Sequence, residues 1–149
     1  MEMRLFMETT RIAPEKSAGE LCALLGRSGA AEVTNEYDGG EVIGVKFVLR
    51  IGESALRFRL PVRVQAVFEI LCKARRHGNR QALADQAKRV AWRQILRWAQ
   101  AQLALVQTGM VQTAEVFLPY MQVQPGQTLF ERMVADGPAL LTWSGEAPR

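Results

Sequence analysis

The sequence predicts an α+β fold: an antiparallel β-meander packed on one face by helices, with a long central helix at about 81–108. Two observations carry this. Apolar and polar residues alternate with a period of two between Glu32 and Leu60, broken by turn-forming glycines. From Gln81 onward the apolar residues recur at helical spacing until Gly109 stops them.

The elements follow in order. Met3, Leu5 and Met7 alternate with Arg4, Phe6 and Glu8, so Met3–Ile12 reads as a strand. Pro14 suits a first helical turn, where its missing N–H is not needed, and Glu15 suits the positive helix end. Ala18, Leu21, Cys22 and Leu25 then form an i, i+3, i+4, i+7 stripe, predicting a helix over about 14–27. Val33, Asn35 and Tyr37 alternate with polar neighbours. Asp38-Gly39-Gly40 is a hairpin signal because these residues tolerate positive φ. Ile43, Val45, Phe47, Leu49 and Ile51 fall on one face of the next strand. After Gly52-Glu53, Leu56, Phe58 and Leu60 return on that face, leaving Lys46, Arg50, Arg57 and Arg59 on the other.

Pro61 opens the next helix, with Val64, Val67, Phe68 and Leu71 at core spacing, and Gly78-Asn79 turns the chain. The long helix follows, carrying Leu83, Ala87, Val90, Ala91, Ile95, Trp98 and Val106, with Trp92, Leu96, Ala99 and Leu103 widening the face. A helix this apolar packs on several neighbours, or offers a seam to a second copy in a homodimer. Thr113–Met121 reads as helical up to Pro119. Thr128 with Glu131 forms a capping box for a last helix over 128–134, stopped by Gly137-Pro138. The 149 residues make one domain, 1–144, followed by a flexible tail at 145–149.

Hydrophobic residues make up 48% of the chain and charged residues 23%, enough for a core and a soluble surface. No run of roughly 18 apolar residues offers a membrane span, and the N-terminus lacks signal-peptide character. Cys22 and Cys72 sit in apolar helical patterns and read as reduced core thiols of a cytoplasmic protein.

The net charge of +4 is uneven. Between Lys73 and Arg97 stand eight basic residues (Lys73, Arg75, Arg76, Arg80, Lys88, Arg89, Arg93 and Arg97) against Asp85 alone. That stretch carries +7, and the rest of the chain −3. Arg89, Arg93 and Arg97 recur at i, i+4 and i+8 on one helical stripe, where like charges repel by a few tenths of a kcal/mol per exposed pair. Such a stripe invites an external polyanion, or else a carboxylate from another element of the same chain. Arg57 and Arg59 on the sheet could join it.

Catalytic signatures are lacking. One histidine, His77, and two separated cysteines do not make a zinc site or a Cys-His or Ser-His-Asp constellation. Neither a Walker loop nor a dinucleotide-binding glycine motif occurs, so no cofactor is expected. Asp38, Glu41 and Lys46 approach the acid-acid-lysine layout of restriction-like nucleases, but Gly44 stands where the second acid belongs, and Glu32 and Glu36 fit it no better.

Three segments, Pro14–Leu21, Phe58–Pro61 and Val90–Trp98, resemble a group of small uncharacterised phage and prophage proteins. The similarity continues through Glu115–Tyr120 and Thr128–Phe130 and so spans most of the chain. It implies no catalytic residues. What it implies is a phage or mobile-element protein acting in the cytoplasm of a bacterial host. The expected role is a non-enzymatic accessory that engages nucleic acid, or a nucleic-acid-handling complex, through Lys73–Arg97. The alternative is an anti-defence inhibitor of the anti-CRISPR type, which binds a host effector and blocks its nucleic-acid site. A small carboxylate enzyme is a third class.

Overall fold

The computed structural model describes residues 4–137. The fold is α+β, with a three-stranded antiparallel sheet, a two-stranded sheet and five α-helices among the described residues. The tail expected at 145–149, and Pro138 of the expected helix stop, lie outside those residues.

Helix α1 (Pro14–Arg27) leads into strands β1 (Glu32–Asp38), β2 (Glu41–Ile51) and β3 (Ser54–Pro61). Helices α2 (Val64–Ala74) and α3 (Arg80–Gln107) follow. The C-terminal part is helix α4 (Thr113–Phe117), a 3₁₀ turn (Leu118–Tyr120), strands β4 (Gln122–Gln124) and β5 (Gln127–Thr128), and helix α5 (Leu129–Asp136).

The meander runs β1-β2-β3, with Asp38 opposite Glu41 and Ile51 opposite Ser54 at its two turns. A β-bulge interrupts the β1–β2 ladder. Glu36 pairs with Gly44 and Tyr37 with Val42, so Ile43 is the extra residue. The bulge shifts the alternation by one, which turns Val42 into the core and leaves Ile43 only half-buried. The expected inward face therefore holds for Val45, Phe47 and Leu49, while Ile51 at the strand end is exposed. Gly44 is required by packing: a Cβ there would lie 2.8 Å from the Leu60 carbonyl oxygen.

Pro61 does not open a helix. It is the last residue of β3, and Val62 N–H donates to the Ile43 carbonyl at 3.0 Å before α2 begins at Val64. A proline has no N–H to give the ladder, so it suits the strand's end.

The strand expected over Met3–Ile12 does not form (Met3 itself lies outside the described residues). The segment is a chain of turns, with Glu8 N–H donating to Leu5 O and Thr10 N–H to Met7 O, and Met7 at φ 63°. Three more of its carbonyls find partners on α3. The Gln86 amide donates to Glu8 O and Thr10 O, each at 2.8 Å, and the Gln94 amide donates to Phe6 O at 2.7 Å. Two side chains thus satisfy groups that a neighbouring strand would otherwise bind.

The core lies between α3, α1, α2 and the inner sheet face. Leu21, Phe58, Val90, Trp92, Leu96 and Phe117 are completely buried. Phe47 and Phe58 stack at 5.1 Å between centroids, and Phe117 meets Phe47 edge-on at 5.1 Å. Trp98 links this cluster to Tyr120. The α3 residues that would form a dimer seam are largely consumed within the chain's own core.

The helix expected over Thr113–Met121 shortens to α4. It tightens into the 3₁₀ turn at Leu118-Pro119-Tyr120, since Pro119 cannot donate to an α-helical ladder. The capping box at Thr128 and Glu131 forms as expected and starts α5, which ends at Gly137 with φ 86°.

One charged residue sits in the α1–α3 contact. Arg93 is 3% exposed, and its Nη1 donates to the Glu20 carboxylate at 2.7 Å. That bond holds the Glu20 carboxyl below its ordinary range, against the opposing effect of burial. The Nε of Arg93 has no partner among the described residues. A buried charge deprived of its counter-ion costs far more than the pair contributes. Because the Glu20 side chain is 39% exposed and water can screen it, Glu20→Ala is expected to destabilise the fold by about 1–3 kcal/mol, less than for a fully buried pair, read as a lower urea midpoint. The double variant Glu20→Ala/Arg93→Met should recover most of that loss.

Candidate nucleic-acid interface

The basic residues of the 73–97 stretch do not form one surface. Lys73, Arg75, Arg76 and Arg80 flank the α2–α3 turn, and all four are exposed. Chain geometry gathers them there. Helix α2 ends at Ala74, the Gly78 N–H closes a turn on Arg75 O at 3.1 Å, and Asn79 caps α3. The Asn79 side-chain oxygen accepts from Gln81 N–H at 2.9 Å and Ala82 N–H at 3.2 Å. Arg80 sets its guanidinium over the Phe68 ring, 5.3 Å from its centroid. His77 is exposed within the same turn.

The rest of the stretch is dispersed. Lys88 pairs with Glu41 at the start of β2 and lies 4.0 Å from Asp85. Arg89 donates through Nε to Gln86 Oε1 at 2.9 Å. Arg93 is the buried partner of Glu20, and Arg97 is exposed and donates to Gln100 at 2.9 Å. The i, i+4, i+8 stripe therefore faces α1 at its middle position. Its repulsion is relieved by an internal carboxylate, one of the two outcomes open to such a stripe.

Arg57 and Arg59 lie on the sheet face turned away from the helical core, apart from the turn cluster. Arg57 is exposed. Arg59 is engaged: Nε donates to Glu36 Oε2 at 3.0 Å and Nη2 to Glu36 Oε1 at 2.7 Å, a two-pronged pair across the sheet. Lys46 approaches the same carboxylate at 3.1 Å, and Glu131 of α5 lies 3.9 Å from Arg59. Two of the four cations on this face, Arg59 and Lys46, are thus engaged within the fold, while Arg50 and Arg57 are exposed.

A cleft of about 370 Å³ opens between the N-terminal segment and the α2–α3 turn, lined by Arg11, Arg75 and Arg89 with Glu8, Thr9 and Asn79. The charge pattern of the sequence does not single out Arg11. It stands in an N-terminal region of mixed charge, and the Gln86 clamp on the backbone of residues 8 and 10 helps hold it beside the turn. The sequence offers little signal for this, because Gln86 and Gln94 stand among many other polar residues of α3.

Among the described residues, no group of three or more His, Cys, Asp or Glu is placed to hold a metal ion. Cys22 and Cys72 are free thiols. Cys22 donates to the Asn35 side-chain oxygen at 3.1 Å, and burial raises its pKa. No helix among the described residues is long and apolar enough to cross a membrane. No protein-family model, curated protein or solved structure matches the chain.

The Arg59 guanidinium, aided by Lys46, holds the Glu36 carboxyl at a pKa of about 2, well below its ordinary 4.5. A depressed carboxyl stabilises the fold above its unfolded pKa, and that contribution disappears as pH falls through the folded value. Glu36→Gln should cost about 1–3 kcal/mol at neutral pH. The gap between variant and wild type should close as pH drops from 4.5 towards 2, measured by denaturant unfolding at each pH.

Proposed function

We propose that this chain is a non-enzymatic accessory protein of a phage or other mobile element, and that it engages nucleic acid, or a complex carrying it, through the α2–α3 turn. The observation that carries this reading is the density of unneutralised charge there. Lys73, Arg75, Arg76 and Arg80 fall within eight consecutive positions and are exposed. Among the described residues, Glu8 is the one carboxylate within 4.0 Å of any of them, and it reaches only Arg75. Such a cluster lowers its own repulsion by accepting phosphates, and each phosphate neutralised releases condensed counter-ions. The phage context comes from the sequence resemblance at Pro14–Leu21, Phe58–Pro61 and Val90–Trp98.

The turn, rather than the whole 73–97 stretch, is the contact surface in this reading. Arg93 and Lys88 serve the fold, and Arg59 is committed to Glu36. Arg57 and Arg97 are peripheral cations.

Fluorescence anisotropy with labelled single-stranded and duplex DNA and RNA, from about 50 to 200 mM salt, tests this. Log affinity should fall linearly with log salt. The variant Arg75→Gln/Arg76→Gln/Arg80→Gln should flatten that slope by about 0.7–0.9 for each phosphate it no longer neutralises, with stability lowered only by about the 0.5–1 kcal/mol of the Arg80–Phe68 contact. Absence of salt-dependent binding at low ionic strength would contradict the proposal. It would favour the inhibitor reading, in which the basic turn meets a protein effector; capture of a host defence effector would test that directly.

A further inference from the structure

The cleft behind the turn is built differently from the open surface in front of it. The three arginines that line it come from three parts of the chain: Arg11 from the N-terminal segment, Arg75 just after α2, and Arg89 from the third turn of α3. Against them stands one carboxylate, Glu8, which Arg4 also contacts at 3.4 Å and which lies 4.0 Å from Arg75. The lining therefore carries a formal +2.

Gln86 fixes this arrangement. Its amide nitrogen holds the backbone of residues 8 and 10, and its amide oxygen accepts the Nε–H of Arg89 at 2.9 Å. Arg89 is thereby oriented through Nε, which leaves the donors of its terminal nitrogens for a ligand. The N-terminus of α3 is not the binding element, because Asn79 already takes the N–H groups of Gln81 and Ala82.

We propose that the Arg11–Arg75–Arg89 cleft takes a terminal phosphomonoester, presented by the end of a nucleic-acid strand. The inference rests on the nucleic-acid reading above and specifies the group recognised. A phosphomonoester carries about −1.5 to −2 charge at neutral pH, which matches the +2 lining. It also offers three unesterified oxygens to three guanidinium forks. An internal phosphodiester carries one charge and two such oxygens, so it uses the site less completely. The volume suits one nucleotide-sized group, at the lower end of small-ligand pockets, which start at roughly 300 Å³.

The test compares one short single strand in three forms, 5′-phosphorylated, 3′-phosphorylated and unphosphorylated, alongside the free nucleoside monophosphate. One phosphorylated form should bind about tenfold more tightly than the unphosphorylated strand. Arg11→Gln and Arg89→Gln should erase that preference while retaining affinity for the unphosphorylated strand. Arg11 is exposed, so its variant keeps the fold. Equal affinity for all three strands would overturn the cleft assignment, and its salt dependence would leave the wider nucleic-acid reading standing. Tight binding of the mononucleotide with no binding of any strand would overturn both the strand-end ligand and the nucleic-acid reading.

Discussion

Burial of α3 is the constraint on which the rest of the structure depends. At 28 residues it is about 42 Å long, and its apolar side chains from Leu83 to Leu103 are buried through most of that length. Helix α1 and helix α2 pack on it directly, and its Trp92 and Leu96 share a core with the inner face of the sheet. The N-terminal segment is tied to it by Gln86 and Gln94. A helix enclosed from several directions has little room for charge, which explains why its basic residues had to be divided.

That division sets the molecule's charge geometry. Where α3 enters the core, Arg93 is buried and must carry its counter-ion, Glu20, with it. Where α3 emerges at its N-terminal end, Arg80 and the residues just before it meet solvent with little acid nearby. Between these zones, Arg89 is held through Nε by Gln86 and lines a cleft with Arg11 and Arg75. The same local excess of +7 thus serves a structural ion pair, a solvent-facing cluster and a concave site. The sheet shows the same economy, since the one Glu36 carboxylate is shared by Arg59 and Lys46.

Much of the fold was legible in the sequence. Pro14 and the Ala18–Leu25 stripe defined α1, Asp38-Gly39-Gly40 defined the hairpin, and Thr128 with Glu131 defined the start of α5. These signals are local, and local chemistry decided them. The failures came where tertiary contacts decided. Residues 4–12 alternate like a strand, yet their backbone partners are two glutamine side chains on a helix more than 70 residues away. The bulge at Ile43 follows from pairing geometry, which no two-residue period announces. In the site, the charge at the turn was visible, but the sinking of Arg93 was not, because a helical stripe does not reveal which neighbour covers it. Arg11 joined the site through the chain's path and through no motif of its own.

The central claim, that the α2–α3 turn and the cleft behind it form the contact surface, is tested most directly by hydrogen–deuterium exchange with and without a phosphorylated single strand at low salt. Protection should appear across residues 73–82 and 8–11 and leave β1 and the outer sheet face around Arg50 and Arg57 unchanged. Protection confined to the sheet, or absent at the turn, would contradict it.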